Sequence, residues 1–176
     1  MIAAHREFSN KRLIVHYNQP HIPFIGDRRA EIESAKREAE SYSTEESFGW
    51  FEHVTDLADG NLWQALSLGL LDRETVYQAF IENLELTLPH VEALIEAVDG
   101  KTVITSDHGN AIADRGPFGL TVYGHPYRTY MRETVEVPWL TVEGADRRQV
   151  FAEKGQDHER TDSDVVAERL ANLGYT

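Results

Sequence analysis

The longest periodic stretch of the chain runs from Asp72 to Val98, where apolar residues recur every three or four positions. This spacing predicts an amphipathic helix, and Asp72 is a suitable N-terminal cap for it. Pro89 lies inside the run and predicts a kink or a break, while Asp99 and Gly100 predict the helix end. The predicted buried stripe consists of Val76, Phe80, Leu84, Leu88, Val91, Leu94 or Ile95, and Val98.

Short apolar runs rich in strand-forming residues predict strands at 12–17, 102–105 and 135–144. A loop is predicted at 19–26, because this segment contains two prolines and a glycine. The long helix leads directly into strand 102–105, which is typical of a crossover unit. The predicted fold class is therefore α/β, with a mainly parallel or mixed sheet flanked by helices.

The remaining segments carry weaker patterns. Residues 27–48 are heavily charged with little apolar periodicity, which predicts an exposed acidic insertion, either helical or partly disordered. One or two short helices are predicted within 50–71, and a terminal amphipathic helix over 162–175. Because no repeat or low-complexity linker interrupts the chain, we expect 1–176 to form a single domain.

Charge and composition exclude several classes of partner. The 176 residues carry a net charge of −13, which argues against binding to nucleic acid or to an anionic membrane surface. The chain has no run of about 18 apolar residues, so no membrane span is predicted. The surface is acidic and poor in lysine, which is typical of a halophilic archaeal source because salt screens carboxylate repulsion. An ordinary acidic protein is the alternative.

The chain contains no cysteine, which excludes disulfides, thiolate metal sites and cysteine nucleophiles within it. Its first residues are too polar for a signal peptide. Both features indicate a cytoplasmic protein.

Polar residues that suit metal chemistry follow or precede the predicted strands. Asp107 and His108 follow strand 102–105, His21 follows strand 12–17, and His125 precedes strand 135–144. Ligand sites in open α/β sheets lie at the carboxyl ends of strands. Carboxylate oxygen and imidazole nitrogen suit Mg²⁺, Mn²⁺, Ca²⁺ or Zn²⁺, and Gly109 permits the turn that both ligands need. The alternatives are that Asp107 caps a helix or a turn with His108 at the surface, and that His125 is a buried, hydrogen-bonded histidine.

Several segments together resemble one enzyme superfamily. TSDHGN (105–110) is similar to the metal-binding motif of the alkaline phosphatase superfamily, and HYNQPHIPF (16–24) resembles a histidine-proline segment of its sulfatase-like branch. The GHP, VPWL and ERLANLGY segments follow in the family's order, so the resemblance covers most of the chain. It implies a partial alkaline-phosphatase or sulfatase-like fold, corresponding to the C-terminal portion of the family's domain.

The resemblance also implies roles for individual residues. Asp107 and His108 match the pair that holds a divalent metal, and His125 matches a later histidine that binds the metal or the oxygens of an ester. His21 matches a histidine that contacts sulfuryl or phosphoryl oxygens, so His21 and His125 are the catalytic candidates. Lys101 and Arg128 could add positive charge nearby, or be ordinary solvated side chains.

Two departures from the family shape the functional expectation. Tyr17 occupies the position where two-metal branches have an aspartate, which favours the one-metal, sulfatase-like branch. No segment resembles the family's nucleophile motif. The expected function is the C-terminal part of a metallohydrolase of sulfate or phosphate esters, inactive alone, with an anionic ester substrate and either an N-terminal half or a second copy as partner. The alternative is a non-catalytic module that binds a metal, an anion or another protein.

Overall fold

The computed structural model describes residues 1–42, 60–144, 149–152 and 165–167. The described helices are α1 (Ile2–Glu7), α2 (Arg29–Ser41), α3 (Gly60–Ser67), α4 (Arg73–Ala97) and α5 (Arg132–Val135), and the strands are β1 (Thr102–Thr105), β2 (Ala111–Arg115), β3 (Thr121–Gly124) and β4 (Trp139–Val142). Residues 165–167 are helical, and the rest of the predicted terminal helix lies outside the described residues. The structure thus combines helices and strands, as an α/β chain should.

The described strands pair antiparallel, so the expectation of a mainly parallel or mixed sheet is not met in this part of the chain. β1 pairs with β4, and β2 pairs with β3. The hairpin β2–β3 contains a bulge at Ala113, whose backbone is left-handed with φ 57°. The sequence pattern missed this hairpin because both strands are short and carry polar residues among the apolar ones.

The strand predicted at 12–17 is wrong, because these residues have no regular secondary structure. Ile14 at its centre is 92% exposed. A strand needs a neighbouring strand for its backbone hydrogen bonds, and β-forming residues alone do not provide one. The loop predicted at 19–26 is confirmed. Strand 102–105 is also confirmed, whereas the strand predicted at 135–144 is limited to β4, because α5 occupies its first residue.

Helix α4 begins where the sequence predicts. The Asp72 side chain accepts a hydrogen bond from the Thr75 backbone N–H at 2.6 Å, which satisfies one of the donors at the start of the helix. Helix α4 has no break at Pro89, since it continues as one helix to Ala97, and the kink expected as the alternative stays a prediction. Proline removes a single backbone donor, and a helix of 25 residues retains the bonds on either side.

The buried face of α4 differs from the predicted apolar stripe. Leu84 and Leu88 are 39% and 40% exposed, while Asn83 and Thr87 are buried. The face is offset because Asn83 hydrogen-bonds the loop that precedes α2, and the Thr87 hydroxyl donates to the Asn83 carbonyl. Polar contacts with the loop therefore decide which side of the second half of the helix is covered.

Helix α2 lies within the segment expected to be an exposed acidic insertion. Its Ile32 and Ala39 are fully buried and Ala35 is nearly so, whereas its charged residues face outward. Three small or apolar residues at helical spacing are enough to attach a short helix to a core. Ile32, Ala35 and Ala39 therefore belong to the core, and 43–48 lie outside the described residues.

The hydrophobic core lies where α2, α3 and the first half of α4 meet. Trp63 and Leu62 of α3 are fully buried, as is Val76 of α4. Phe24 from the loop packs edge-on against Phe80, with ring centroids 5.0 Å apart, and Trp63 stacks on the same ring at 6.5 Å. Of the strand residues, Ile112 of β2 belongs to this cluster. The core thus fixes the hairpin β2–β3 against the helices.

None of the described helices has the length and apolar composition needed to cross a bilayer.

Replacing Asp72 with alanine is expected to lower the melting temperature by a few degrees at about pH 7, with a smaller effect in acid. Hydrogen bonds from the Thr75 backbone and hydroxyl lower the pKa of Asp72 below its ordinary value. Because the folded-state pKa is depressed, this stabilisation is present above the unfolded-state pKa and is lost as pH falls through the folded-state value. Thermal melts from about pH 7 down to about pH 2.5 measure the difference between wild type and Asp72→Ala.

Asp72→Asn is the matched control, since its amide oxygen accepts the same hydrogen bond without titrating. It should stay close to wild type at low pH. An Asp72→Ala deficit that is equal at all pH values would mean that the carboxylate charge contributes nothing.

Candidate functional site

The register of the hairpin β2–β3 creates the candidate site. Ala111, the first residue of β2, is opposite Gly124, the last residue of β3. The residues just outside the hairpin, Asn110 and His125, are therefore neighbours, and His125 Nδ1 lies 2.8 Å from Asn110 Oδ1. In this way the hairpin brings the end of TSDHGN beside the histidine of GHP.

The rings of His108 and His125 are in contact. Their centroids are 3.9 Å apart with an angle of 35° between the ring planes. Both side chains are half-buried. Two histidines that are 17 positions apart in sequence thus lie side by side, and two of the three predicted metal ligands come together.

Asp107 lies beside this histidine pair at the surface. Its Oδ1 is 3.9 Å from His108 Nε2, and the same oxygen accepts a hydrogen bond from the His108 backbone N–H at 3.0 Å. The carboxylate is 67% exposed. Asp107 therefore acts as a local turn cap, which is the alternative to metal binding given for it above. Its carboxylate still lies next to His108.

Gly109 is required by close packing. A Cβ atom at this position would lie 2.2 Å from the carbonyl oxygen of Glu133, and the Gly109 N–H donates to the Thr134 carbonyl at 3.1 Å. Helix α5 therefore packs directly against the backbone of the loop at Gly109, and only glycine, which lacks a Cβ atom, allows this approach. The buried Thr134 hydroxyl forms hydrogen bonds within the same turn, which holds α5 in place.

The three predicted site histidines share one tautomer. His108 Nδ1 lies 3.0 Å from the Gly109 carbonyl, and His21 Nδ1 lies 2.6 Å from the Ile22 carbonyl. A carbonyl oxygen only accepts, so each of these Nδ1 atoms carries the proton. His125 Nδ1 donates in the same way to the Asn110 side-chain oxygen. A histidine whose Nδ1 donates in this way uses Nε2 when it binds a metal.

The donor set fits a divalent cation in part. Imidazole Nε2 atoms and a carboxylate are suitable ligands for Zn²⁺ or Mn²⁺. However, no three His, Asp or Glu side chains lie close enough to hold one metal ion within the described parts of the chain. The structure therefore assembles the pair His108 and His125, with Asp107 beside it, and does not assemble a complete three-ligand site.

His21 has its own anchor in the loop before α2. Its backbone carbonyl accepts a hydrogen bond from the Asn83 amide at 3.1 Å, and neighbouring carbonyls of Pro20 and Pro23 accept from the same nitrogen. The backbone of this loop is thus fixed by α4, a contact that sequence reasoning missed because a buried asparagine inside an apolar stripe gives no signal by itself.

The two cationic candidates have different environments. Lys101 pairs with Glu143 across the β1–β4 pair at 2.9 Å, as a solvated side chain at the end of a strand. Arg128 lies over the ring of Tyr127, 5.1 Å from its centroid.

Near the site, burial raises the pKa of the Tyr123 phenol above its ordinary value, so this group stays protonated at neutral pH.

Asn110 is the site residue that sequence reasoning did not assign. It lies within TSDHGN, and its contact with His125 depends on the hairpin register, which no local pattern indicates.

No protein-family model matches the chain, and no curated protein or solved structure matches it either.

Proposed function

We propose that this chain is the C-terminal part of a sulfatase-like, metal-dependent hydrolase of sulfate or phosphate esters. The observation that supports the proposal best is the ring contact between His108 and His125, since it unites the two motifs that carry the family resemblance. His108 and His125, with Asp107 beside them, would supply part of the ligand shell of a divalent cation, and water or another segment would complete it. That cation would supply positive charge to neutralise the transferring group.

The remaining roles are assigned to the chain's own side chains. His125 Nε2 would contact the ester oxygens or the metal, and His21 would stabilise negative charge on the transferring group. Asn110 would hold the His125 ring in its tautomer, as outer partners of catalytic histidines do. The partial alkaline-phosphatase-like fold belongs to the same proposal.

The hydroxyl groups near the motif support the view that a nucleophile comes from another segment. The Thr105 hydroxyl donates to the Pro138 carbonyl at 2.8 Å and so holds β1 against β4. It lies on the strand that leads into the metal ligands, and not across a substrate from them. An in-line attack needs a nucleophile held opposite the leaving group. The isolated chain is therefore expected to bind metal without turning over esters.

A non-catalytic interaction module is the second candidate. It is favoured by the exposed apolar residues of the β1–β4 pair, where Trp139 is 70% and Leu140 is 58% exposed. Exposed apolar surface next to strand edges is typical of a surface that binds another protein.

Zn²⁺ and Mn²⁺ are expected to bind the isolated chain weakly, because water must complete the coordination shell. His108→Ala and His125→Ala should each weaken binding by about tenfold or more, and Asp107→Asn should weaken it as well. Calorimetric titration of each metal into wild type and the three variants measures this.

His90→Ala is the control, since His90 lies exposed on α4 and has no assigned role. If all variants bind as wild type does, the scattered surface carboxylates hold the ions and the proposal fails.

Parallel assays with nitrophenyl sulfate and nitrophenyl phosphate test whether the chain holds a complete catalytic site. Turnover that disappears in Asp107→Asn would show that the chain holds a complete site.

A further inference from the structure

The Asp114 carboxylate connects the hairpin β2–β3 to helix α4 at the position of the bulge. The side chain is 15% exposed, and both of its oxygens accept a hydrogen bond. Oδ2 accepts from the Ile112 backbone N–H at 2.8 Å, and Oδ1 accepts from Arg73 Nη2 at 2.6 Å. A carboxylate that is largely removed from water needs such partners. One side chain of β2 therefore bonds both to its own strand and to a distant helix.

The bulge decides which residues of β2 and β3 lie opposite each other near the candidate site. On the side of the turn, Asp114 is opposite Val122, and on the side of the site, Ala111 is opposite Gly124. Ala113 is the extra residue between these pairs, because the register shifts between residues 112 and 114. The bulge therefore sets the register of the part of the hairpin that leads to the site.

Loss of the bulge would displace His125. If Asp114 kept its partner and the ladder continued without an extra residue, Ala111 would lie opposite His125. Successive residues of a strand are about 3.3 Å apart and point to opposite faces, so His125 would shift by one position and turn over. Both its 2.8 Å hydrogen bond to Asn110 and its ring contact with His108 would then be broken.

The bulge needs support from side chains, because its backbone is unfavourable for the residue that occupies it. Ala113 has a left-handed conformation with φ 57°. Glycine adopts this region readily, whereas a residue with a Cβ atom seldom does, and bulges with such a left-handed residue typically have glycine there. The Asp114 side chain bonds to the Ile112 N–H across this residue, and so supports the bulge directly.

Helix α4 gives Asp114 a fixed reference point. Arg73 is the first residue of α4, and it directly follows Asp72, which caps the helix. Val76, one turn later, is fully buried in the core. Because the Arg73 guanidinium is 59% exposed, its ion pair with Asp114 contributes little stability by itself. Its effect is geometric, since it joins β2 to a helix start that the core holds in place.

We infer that Asp114 is a positioning residue for the histidine pair: its carboxylate holds the bulge in β2, and the bulge sets His125 against His108. The consequence for metal binding rests on the proposed function. The placement of the two rings requires no metal, so it can be measured in the metal-free protein.

The test is magnetic resonance of the metal-free full chain with isotope-labelled histidine, in which His108→Gln and His125→Gln assign the two rings. Wild type should show a nuclear Overhauser cross-peak between these rings, because their centroids are 3.9 Å apart. Asp114→Ala should lose the cross-peak, since a shift of one residue separates the rings. Asp114→Asn should keep it, because the amide oxygen still accepts from the Ile112 N–H.

A double variant tests whether Asp114 acts through the bulge. Glycine favours the left-handed backbone without help from a neighbouring side chain. Ala113→Gly combined with Asp114→Ala should therefore regain the cross-peak that Asp114→Ala loses. A general loosening of the hairpin would not be repaired by glycine, since glycine adds backbone freedom.

Glu82→Ala is the matched control. The Glu82 carboxylate also bonds to one arginine side chain and one backbone N–H, both of Arg28, and it is 19% exposed. It lies on α4 and bonds to the segment at the start of α2, away from the hairpin. Glu82→Ala should lower the melting temperature and leave the cross-peak between the histidine rings at its wild-type intensity.

Three results would overturn the positioning role. The first is a wild-type chain without the cross-peak, and the second is a folded Asp114→Ala variant that keeps it. The third is equal loss of the cross-peak in Glu82→Ala. Circular dichroism establishes folding, and if Asp114→Ala is unfolded, Arg73→Gln replaces it. That variant removes one of the two bonds, so it should weaken the cross-peak, and an unchanged cross-peak would overturn the role as well.

Zinc titration of the same variants separates this inference from the proposed function. Asp114→Ala should weaken Zn²⁺ binding by about tenfold, as the loss of an outer partner of metal-binding histidines does. If wild type binds no Zn²⁺ while the cross-peak depends on Asp114, the proposed function is rejected and the positioning role stands. Unchanged Zn²⁺ binding together with an unchanged cross-peak in Asp114→Ala would reject the positioning role alone.

Discussion

Trp63→Ala is expected to lower the free energy of unfolding by about 3–5 kcal/mol. The Trp63 side chain is fully buried, stacks on Phe80 of α4 and belongs to the cluster that also contains Ile32 of α2. Truncation to alanine removes the apolar contact area and leaves a cavity that three helices cannot fill without moving. Chemical denaturation with urea measures the loss as a shift of the midpoint at constant slope.

Two further variants test whether the loss of stability comes from the buried position of Trp63 or from the removal of any tryptophan. Trp63→Phe keeps an aromatic ring and removes an indole N–H that has no hydrogen-bond partner within the described residues, so it should cost less than about 1.5 kcal/mol. Trp139→Ala changes the same residue type on β4, where the side chain is 70% exposed, and should cost less than about 1 kcal/mol. If Trp63→Ala costs no more than Trp139→Ala, the core lies elsewhere.

Asn83→Leu is expected to lower the free energy of unfolding by about 2–4 kcal/mol. The fully buried Asn83 amide donates to the carbonyls of Pro20, His21 and Pro23, and its oxygen accepts from the Ile25 N–H at 2.8 Å. Leucine has a similar shape and cannot bond to any of them. The loop's backbone groups would then lose their partner, which costs about 1–3 kcal/mol for each group that stays buried.

Gln78→Leu is the control for this substitution, because it removes an amide from the same helix. Within the described residues, the Gln78 side chain bonds locally, to the Glu74 side chain one turn earlier. It should change stability by less than about 0.5 kcal/mol in the same urea experiment. Equal stability of Asn83→Leu and wild type would mean that the loop is held by its packing, mainly through Phe24, and not by the buried amide.

Local sequence signals determined those parts of the chain whose conformation depends on near neighbours. The start of α4 at Asp72 follows from a side chain that caps its own helix within three residues. The loop at 19–26 follows from the fixed dihedral angles of its prolines. The short strand β1 and the helical content of α4 were likewise predictable, since propensity and spacing agree there.

Tertiary contacts decided the remainder, because they depend on residues that are distant in sequence. RLIVHY has strand-forming residues and forms no strand, since no partner strand lies beside it in the described structure. In α4 the buried face is set by Asn83 and its bonds to the loop, which no periodicity of apolar residues can indicate.

The candidate site shows the same division. The sequence alone indicated Asp107, His108 and His125 as chemically suitable residues, through their types and their motifs. Only the register that sets Ala111 opposite Gly124 brought His125 to Asn110 and His108. A one-residue shift of that pairing would turn every side chain of the strand to the other face, so the proximity of the two histidines is a property of the fold and not of either motif.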